Sequence, residues 1–126
     1  MTFTTVSTAG AAPPFGAYSQ GRRIGPFLQV CGQLAVDPAT GTLLKAGVGP
    51  QTRRALEQAT AVLEAGGANW EAALMVRVYL ADVNDFEEMD VAYRQFLNEP
   101  FPPRTTVTAG LFPGAYVEID VLAVLK

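Results

Sequence analysis

The chain contains no histidine. That removes the side chain most often used as a general base near neutral pH, and with it any Ser–His or Cys–His nucleophile pair. There is a single cysteine, Cys31, so no intramolecular disulfide can form; without histidine, the ordinary zinc ligand sets cannot be assembled within one subunit either. Charge is scarce, at 17% of residues against 49% hydrophobic. The net charge is −3 and the only adjacent basic pairs are Arg22-Arg23 and Arg53-Arg54, which argues against nucleic acid as the main partner, because phosphate binding needs a basic face. No apolar run approaches the roughly 20 residues of a membrane-spanning helix. The N-terminal MTFTTVSTAGAAPP has neither the basic start nor the apolar stretch of a signal peptide, so a cytoplasmic protein is expected. Neither AGVGP nor GRRIGP has the pattern of a phosphate-binding loop. An enzyme built on this chain would work with carboxylates, arginine, hydroxyls, backbone groups and water.

What is present reads as one domain, residues 1–126. The apolar fraction exceeds what one small core hides, so a buried subunit interface is expected. In PFLQVCGQLAV, the residues Leu28, Val30, Gly32, Leu34 and Val36 alternate with Phe27, Gln29, Cys31 and Gln33, the period of a strand. DPATG follows as a turn. GPQTRRALEQATAVLEAGG reads as a helix with Pro50 in its first turn and Gly66-Gly67 as its stop. Its stripe is Ala55, Leu56, Ala59, Val62 and Leu63, with Arg53, Arg54, Glu57 and Gln58 off it. A second strand alternates Leu74, Val76, Val78 and Leu80. A second helix opens at NDFE, where Asn84 and Glu87 have the spacing of a capping box, and buries Phe86, Met89, Tyr93, Phe96 and Leu97. FPPRTTV starts another strand, and YVEIDVLAVL is the last. The order predicts an α+β sandwich, a mostly antiparallel sheet with two helices on one face. In the last strand Val117, Ile119, Val121 and Ala123 suit the helices. The opposite side reads Glu118, Asp120, Leu122, Val124, a mixed face that a second subunit would cover, leaving Glu118 near the rim.

Arg104 and Glu118 are the first candidates for chemistry. Arginine presents a rigid fork matched to a carboxylate, and a half-buried glutamate can hold and activate water. The plain alternative is a structural salt bridge between the two. Tyr18 could line a pocket or serve packing; Gly32 permits close approach of a ligand or marks a β-bulge. Cys31 has no base beside it and fits a packed thiol. Asp90 lies next to the apolar stripe of its helix, at a solvated edge or facing a cleft.

Taken in order, APPFGAYSQG, CGQLAVDPATG, QTRRALEQATAVLEAGG, VYLADVNDFEEMDVAYRQF, PPRTTV and VEIDVLAV resemble the RidA family, also called YjgF or L-PSP, from about Ala11 to Val124. The resemblance implies a fold like that of trimeric chorismate mutase, assembled as a homotrimer with clefts between subunits. It implies that Arg104 binds a substrate carboxylate and Glu118 positions the attacking water. Tyr18 and Gly32 would line the pocket, with Cys31, Asp90 and Thr106 at further substrate-binding positions. The implied reaction is hydrolysis of 2-aminoacrylate, 2-iminopropanoate or 2-iminobutanoate to the 2-keto acid and ammonia, with no metal or cofactor. The sequence departs from the family pattern at Ala17, where proline is usual, at Cys31 for serine, at Thr106 for cysteine, and at Asp90 for asparagine. The segment from Arg104 to Glu118 is one residue shorter than in many members, a loss the AGLFPGA loop can absorb without reversing either strand. Two other readings stay open: an endoribonuclease or translation inhibitor, and a trimeric module that binds small carboxylates without turnover.

Overall fold

Period-two alternation in the last strand and helical spacing in the first helix give each element one apolar side, and these sides close on each other. The computed structural model describes residues 2–126. Its strands are β1 (Thr4–Val6), β2 (Gly21–Ile24), β3 (Phe27–Leu34), β4 (Ala73–Leu80), β5 (Arg104–Thr108) and β6 (Val117–Val124), and its helices are α1 (Val48–Ala65) and α2 (Phe86–Phe96). One six-stranded sheet runs in the order β1-β2-β3-β6-β4-β5. Every pair is antiparallel except β4–β5 at one edge. This is the expected α+β architecture. The parallel edge follows from the connection, because β4 and β5 are joined through α2 and a crossover returns the chain in the same direction.

The core lies between the sheet and the helices. Val117, Ile119, Val121 and Ala123 of β6 are fully buried with Val76 and Val78 of β4, Leu28 and Val30 of β3, and the expected α1 stripe from Ala55 to Leu63. Helix α1 ends as its glycine pair predicts. The Ala68 N–H donates to the Leu63 carbonyl at 2.8 Å and the Gly67 N–H to that of Glu64 at 3.0 Å. This closing loop needs a left-handed residue, which Gly67 supplies at φ +87°.

β1 and β2 extend the sheet beyond the strands read from the sequence. Four local expectations are corrected. Phe86, expected on the buried side of α2, is 38% exposed. The alternation in β3 breaks between Val30 and Gln33, where the register with β6 shifts. Beyond that β-bulge Gln33 and Ala35 turn inward, and Leu34 is only half-buried. Gln58 lies within the buried stripe of α1, not off it. The capping box does not form: α2 begins after Asp85 with no side-chain cap. Instead Asp82 accepts from the Asn84 N–H at 2.9 Å, closing a short 3-10 turn ahead of the helix. Asp82 competes successfully because it lies two residues before its donor, the reach of an Asx turn.

Candidate functional site

Strand pairing decides which candidates can meet. Arg104, the first residue of β5, stands opposite Val76, whose side chain faces the helices; Glu118 in β6 stands opposite Tyr79, one residue out of phase. Side chains alternate between sheet faces, so Arg104 points toward α2 and Glu118 toward the open face. Two strand spacings and three residues also separate them, on the order of 14 Å. The structural salt bridge weighed from the sequence therefore does not exist within one chain. The candidate residues fall into two groups.

The first group surrounds Glu118. The bulge in β3 brings Gly32 against its side chain, and a Cβ there would lie 2.9 Å from Glu118 Cδ and closer still to the carboxylate. Glycine is thus required for the close approach. Glu118, Gly32, Cys31 and Tyr18 line one cleft of about 490 Å³ together with Gln33, Phe15 and Phe112. Phe15 forms edge-to-face pairs with Tyr18 and Phe112, each at 5.9 Å between ring centroids, and the three rings make an apolar rim. Glu118 has no ion-pair partner among the described residues. Burial, and then the negative charge of Asp120, raise its pKa above the ordinary 4.5. Asp120 itself accepts from Arg77 Nε at 2.8 Å and from the Tyr79 hydroxyl at 3.1 Å, leaving Glu118 as the free carboxylate of this face. Burial also pushes the Cys31 thiol up, with the charges of Glu118 and Asp120 adding to it against a hydrogen bond from Gln33. It stays protonated, the behaviour of a packed thiol.

The second group surrounds Arg104. Its Nη1 donates to Asp90 Oδ1 at 2.7 Å across the β5–α2 contact. Asp90 Oδ2 accepts from Arg94, one helical turn on, at 3.3 Å. The Arg104 guanidinium carbon sits 4.7 Å over the Tyr93 ring and 5.5 Å from that of Phe86, so two aromatic faces fix its plane. Arg104, Asp90, Arg94 and Tyr93, with Phe101 and Pro102, line a smaller cleft of about 240 Å³. Burial works to raise the Asp90 pKa, but the hydrogen bonds and charges of Arg104 and Arg94 outweigh it and hold the carboxyl below its ordinary value. Burial pushes Tyr93 up to about 12. Thr106 stands opposite Val78, on the same sheet face as Arg104, and is half-buried.

Sequence reasoning missed what holds these clefts in place. Three buried glutamines pin the loops. Gln58 accepts from the Val36 N–H and donates to the Leu34 carbonyl and to Gln33, fixing the strand end beyond the bulge. Gln51 accepts from the Tyr116 N–H and donates to the Gly114 and Leu44 carbonyls, tying the Phe112 loop to α1. Gln20 gathers the Thr8, Ala11 and Ala12 carbonyls of the loop leading to Tyr18. A signal did exist for two of them: Gln51 and Gln58 are seven residues apart, in phase with Ala55 and Val62. Arg94 was also visible, four residues beyond Asp90. Among the described residues, no three of Cys, Asp and Glu converge as a metal ligand set, and no helix is long and apolar enough to cross a membrane.

A family model described as endoribonuclease L-PSP matches residues 9–125. A RutC family protein of Pyrococcus horikoshii is 38% identical over 119 residues, covering 94% of each chain. The 2-iminobutanoate/2-iminopropanoate deaminase of Bos taurus is 35% identical over 120 residues, 94% of this chain and 88% of that one. The crystal structure of RidA from an Antarctic Psychrobacter species superimposes with a TM-score of 0.92 at 30% identity, covering 97% of this chain and 99% of that chain.

Proposed function

The chain belongs to the RidA (YjgF/L-PSP) family, and from that premise we propose that it hydrolyses reactive 2-imino acids to 2-keto acids and ammonia. The observation that carries this reading is Glu118: a half-buried carboxylate with no ion-pair partner among the described residues, held against the Gly32 backbone in an aromatic-rimmed cleft, in a chain 35% identical to a named deaminase. The substrate carboxylate binds the Arg104 guanidinium, which presents C2 of the imine to a water held by Glu118. The water oxygen adds to C2 as Glu118 takes its proton, and Glu118 passes that proton to the imine nitrogen to give a carbinolamine. Glu118 then takes the hydroxyl proton as the keto oxygen forms and the C2–N bond breaks, and hands it to the departing nitrogen, which leaves as ammonia. An imine carbon is already electrophilic, so positioning and one proton acceptor suffice and histidine is not required.

Arg104 and Glu118 lie on opposite faces of one sheet, so the site needs two copies. A ring of three chains, each setting its β5 edge onto the open sheet face of the next, would supply them and close on itself. That face carries exposed Phe27 and half-buried Leu122 and Val124, an apolar area suited to such cover.

The decisive assay generates 2-iminopropanoate or 2-iminobutanoate with an amino-acid oxidase and traps surviving imine with semicarbazide. Wild type is expected to abolish the trapped product and Arg104→Ala to leave it. Equal trapping with both proteins, folded and of the same oligomeric size, would sink the deaminase reading in favour of a carboxylate-binding module. The endoribonuclease activity in the family description finds little support in a chain of net charge −3.

A further inference from the structure

The Arg104 guanidinium already holds a carboxylate, and this bears on the ligand. Arg104 and Asp90 touch at 2.7 Å, and their side chains are 20% and 25% exposed, so both are reachable from the cleft. A plain carboxylate arriving at Arg104 is brought beside the Asp90 charge and repelled. A ligand whose carboxylate neighbours a protonated nitrogen meets the opposite balance, because its positive end then lies beside Asp90. In 2-imino and 2-amino acids the nitrogen and the carboxylate are attached to adjacent carbons, a spacing suited to an arginine and an aspartate in contact. We propose that Arg104 and Asp90 form a dipolar subsite selective for zwitterionic ligands, taking the carboxylate on Arg104 and the protonated nitrogen on Asp90. This rests on the reading of Arg104 as the carboxylate anchor.

Three features equip the pair for this. Arg104 has five N–H donors, and Asp90 accepts a hydrogen bond from only one of its nitrogens, so an edge of the fork is left for the ligand. Among the described residues Asp90 Oδ2 is held only by Arg94, at 3.3 Å and from a side chain that is 62% exposed; such surface bridges are weak and readily exchanged for an incoming N–H. The Tyr93 ring beneath the guanidinium keeps Arg104 in plane while its partners change. For an imino acid, the subsite would select the iminium form, whose C2 is the better electrophile. Asp90 is then a specificity residue, and its negative charge becomes part of recognition.

Alanine and propanoate share a carbon skeleton and differ by the ammonium group, so they serve as the probe pair. Their binding to wild type, Asp90→Asn, Arg94→Gln and Arg104→Ala is measured by isothermal titration, and by inhibition of imine hydrolysis for the proteins that retain activity. Wild type is expected to prefer alanine by about tenfold, the worth of one charge-assisted hydrogen bond. Asp90→Asn should cancel or reverse that preference, and Arg94→Gln, which strips Asp90 of its competing cation, should widen it. Equal binding of the two probes by wild type, binding of neither, or a preference unchanged in both Asp90→Asn and Arg94→Gln overturns the dipolar subsite. If Asp90→Asn does not fold, the Arg94→Gln ratio decides alone. Arg104→Ala separates the two layers: binding of both probes retained in that variant removes the anchor itself. Binding lost there, but indifferent to residues 90 and 94, removes only the zwitterion preference.

Discussion

The two clefts treat their key charges in opposite ways. Around Arg104 charge is compensated: Asp90 and Arg94 complete a chain of ion pairs, two aromatic rings face the guanidinium, and Asp90 is held ionised. Around Glu118 it is not: the carboxylate has no cation among the described residues, sits among apolar rings and a backbone bulge, and its pKa is raised. A compensated group contributes to folding and suits the holding of a ligand. An uncompensated one costs stability and suits the taking of a proton. The division of labour proposed for the reaction thus follows the electrostatics of each half, and the halves lie on opposite faces of one sheet.

The strongest way to break this comparison is to damage one half per chain. Arg104→Ala and Glu118→Gln, each assayed alone, are expected to lose imine hydrolysis. Refolded together in equal amounts, they should regain about a quarter of wild-type activity, because in a head-to-tail ring about one site in four draws both intact halves. Activity that stays at the level of the single variants would rule out a site shared between copies.

A smaller effect sharpens the contrast in stability. Arg104→Ala strips Asp90 of its main partner and should destabilise the fold by about 1–2 kcal/mol in chemical denaturation, discounted for partial exposure. Glu118→Gln should have the reverse sign at neutral pH. The folded pKa of Glu118 lies above its unfolded value, so its ionisation works against folding at pH above both. The gain from glutamine should therefore shrink to nothing as pH falls below the unfolded value. Thermal unfolding of both variants between pH 4 and 8 reads both signs; a loss of stability in Glu118→Gln at neutral pH would contradict the uncompensated state of this carboxylate.

The smallest effect concerns the acid limb of the pH–rate profile. Glu118 must be ionised to accept the water proton, so activity should fall at a pH above the ordinary 4.5. Asp120→Asn removes the neighbouring negative charge that helps raise this pKa and leaves Arg77 unneutralised nearby, so the limb should move to lower pH. A limb that does not move, or moves upward, would mean that another group supplies the proton acceptor.

Much of the molecule was legible beforehand because alternation and helical spacing are local properties. They located α1, α2, β3, β4 and β6, the buried side of β6, and the α+β class. The absence of histidine confined the chemistry to carboxylates and arginine before any element was placed. What the residues alone could not express was pairing at a distance. The sequence marked Gly32 for a close approach or a β-bulge, but did not show that one extra residue in β3 would reverse the side-chain direction at Gln33 and set Glu118 in the gap. The crossover through α2 lays Asp90 on Arg104, fourteen positions away. The phase between β4, β5 and β6 sends Arg104 and Glu118 to opposite faces. Periodicity names the faces of each element; only the assembled sheet, through register and bulge, decides which of those faces meet.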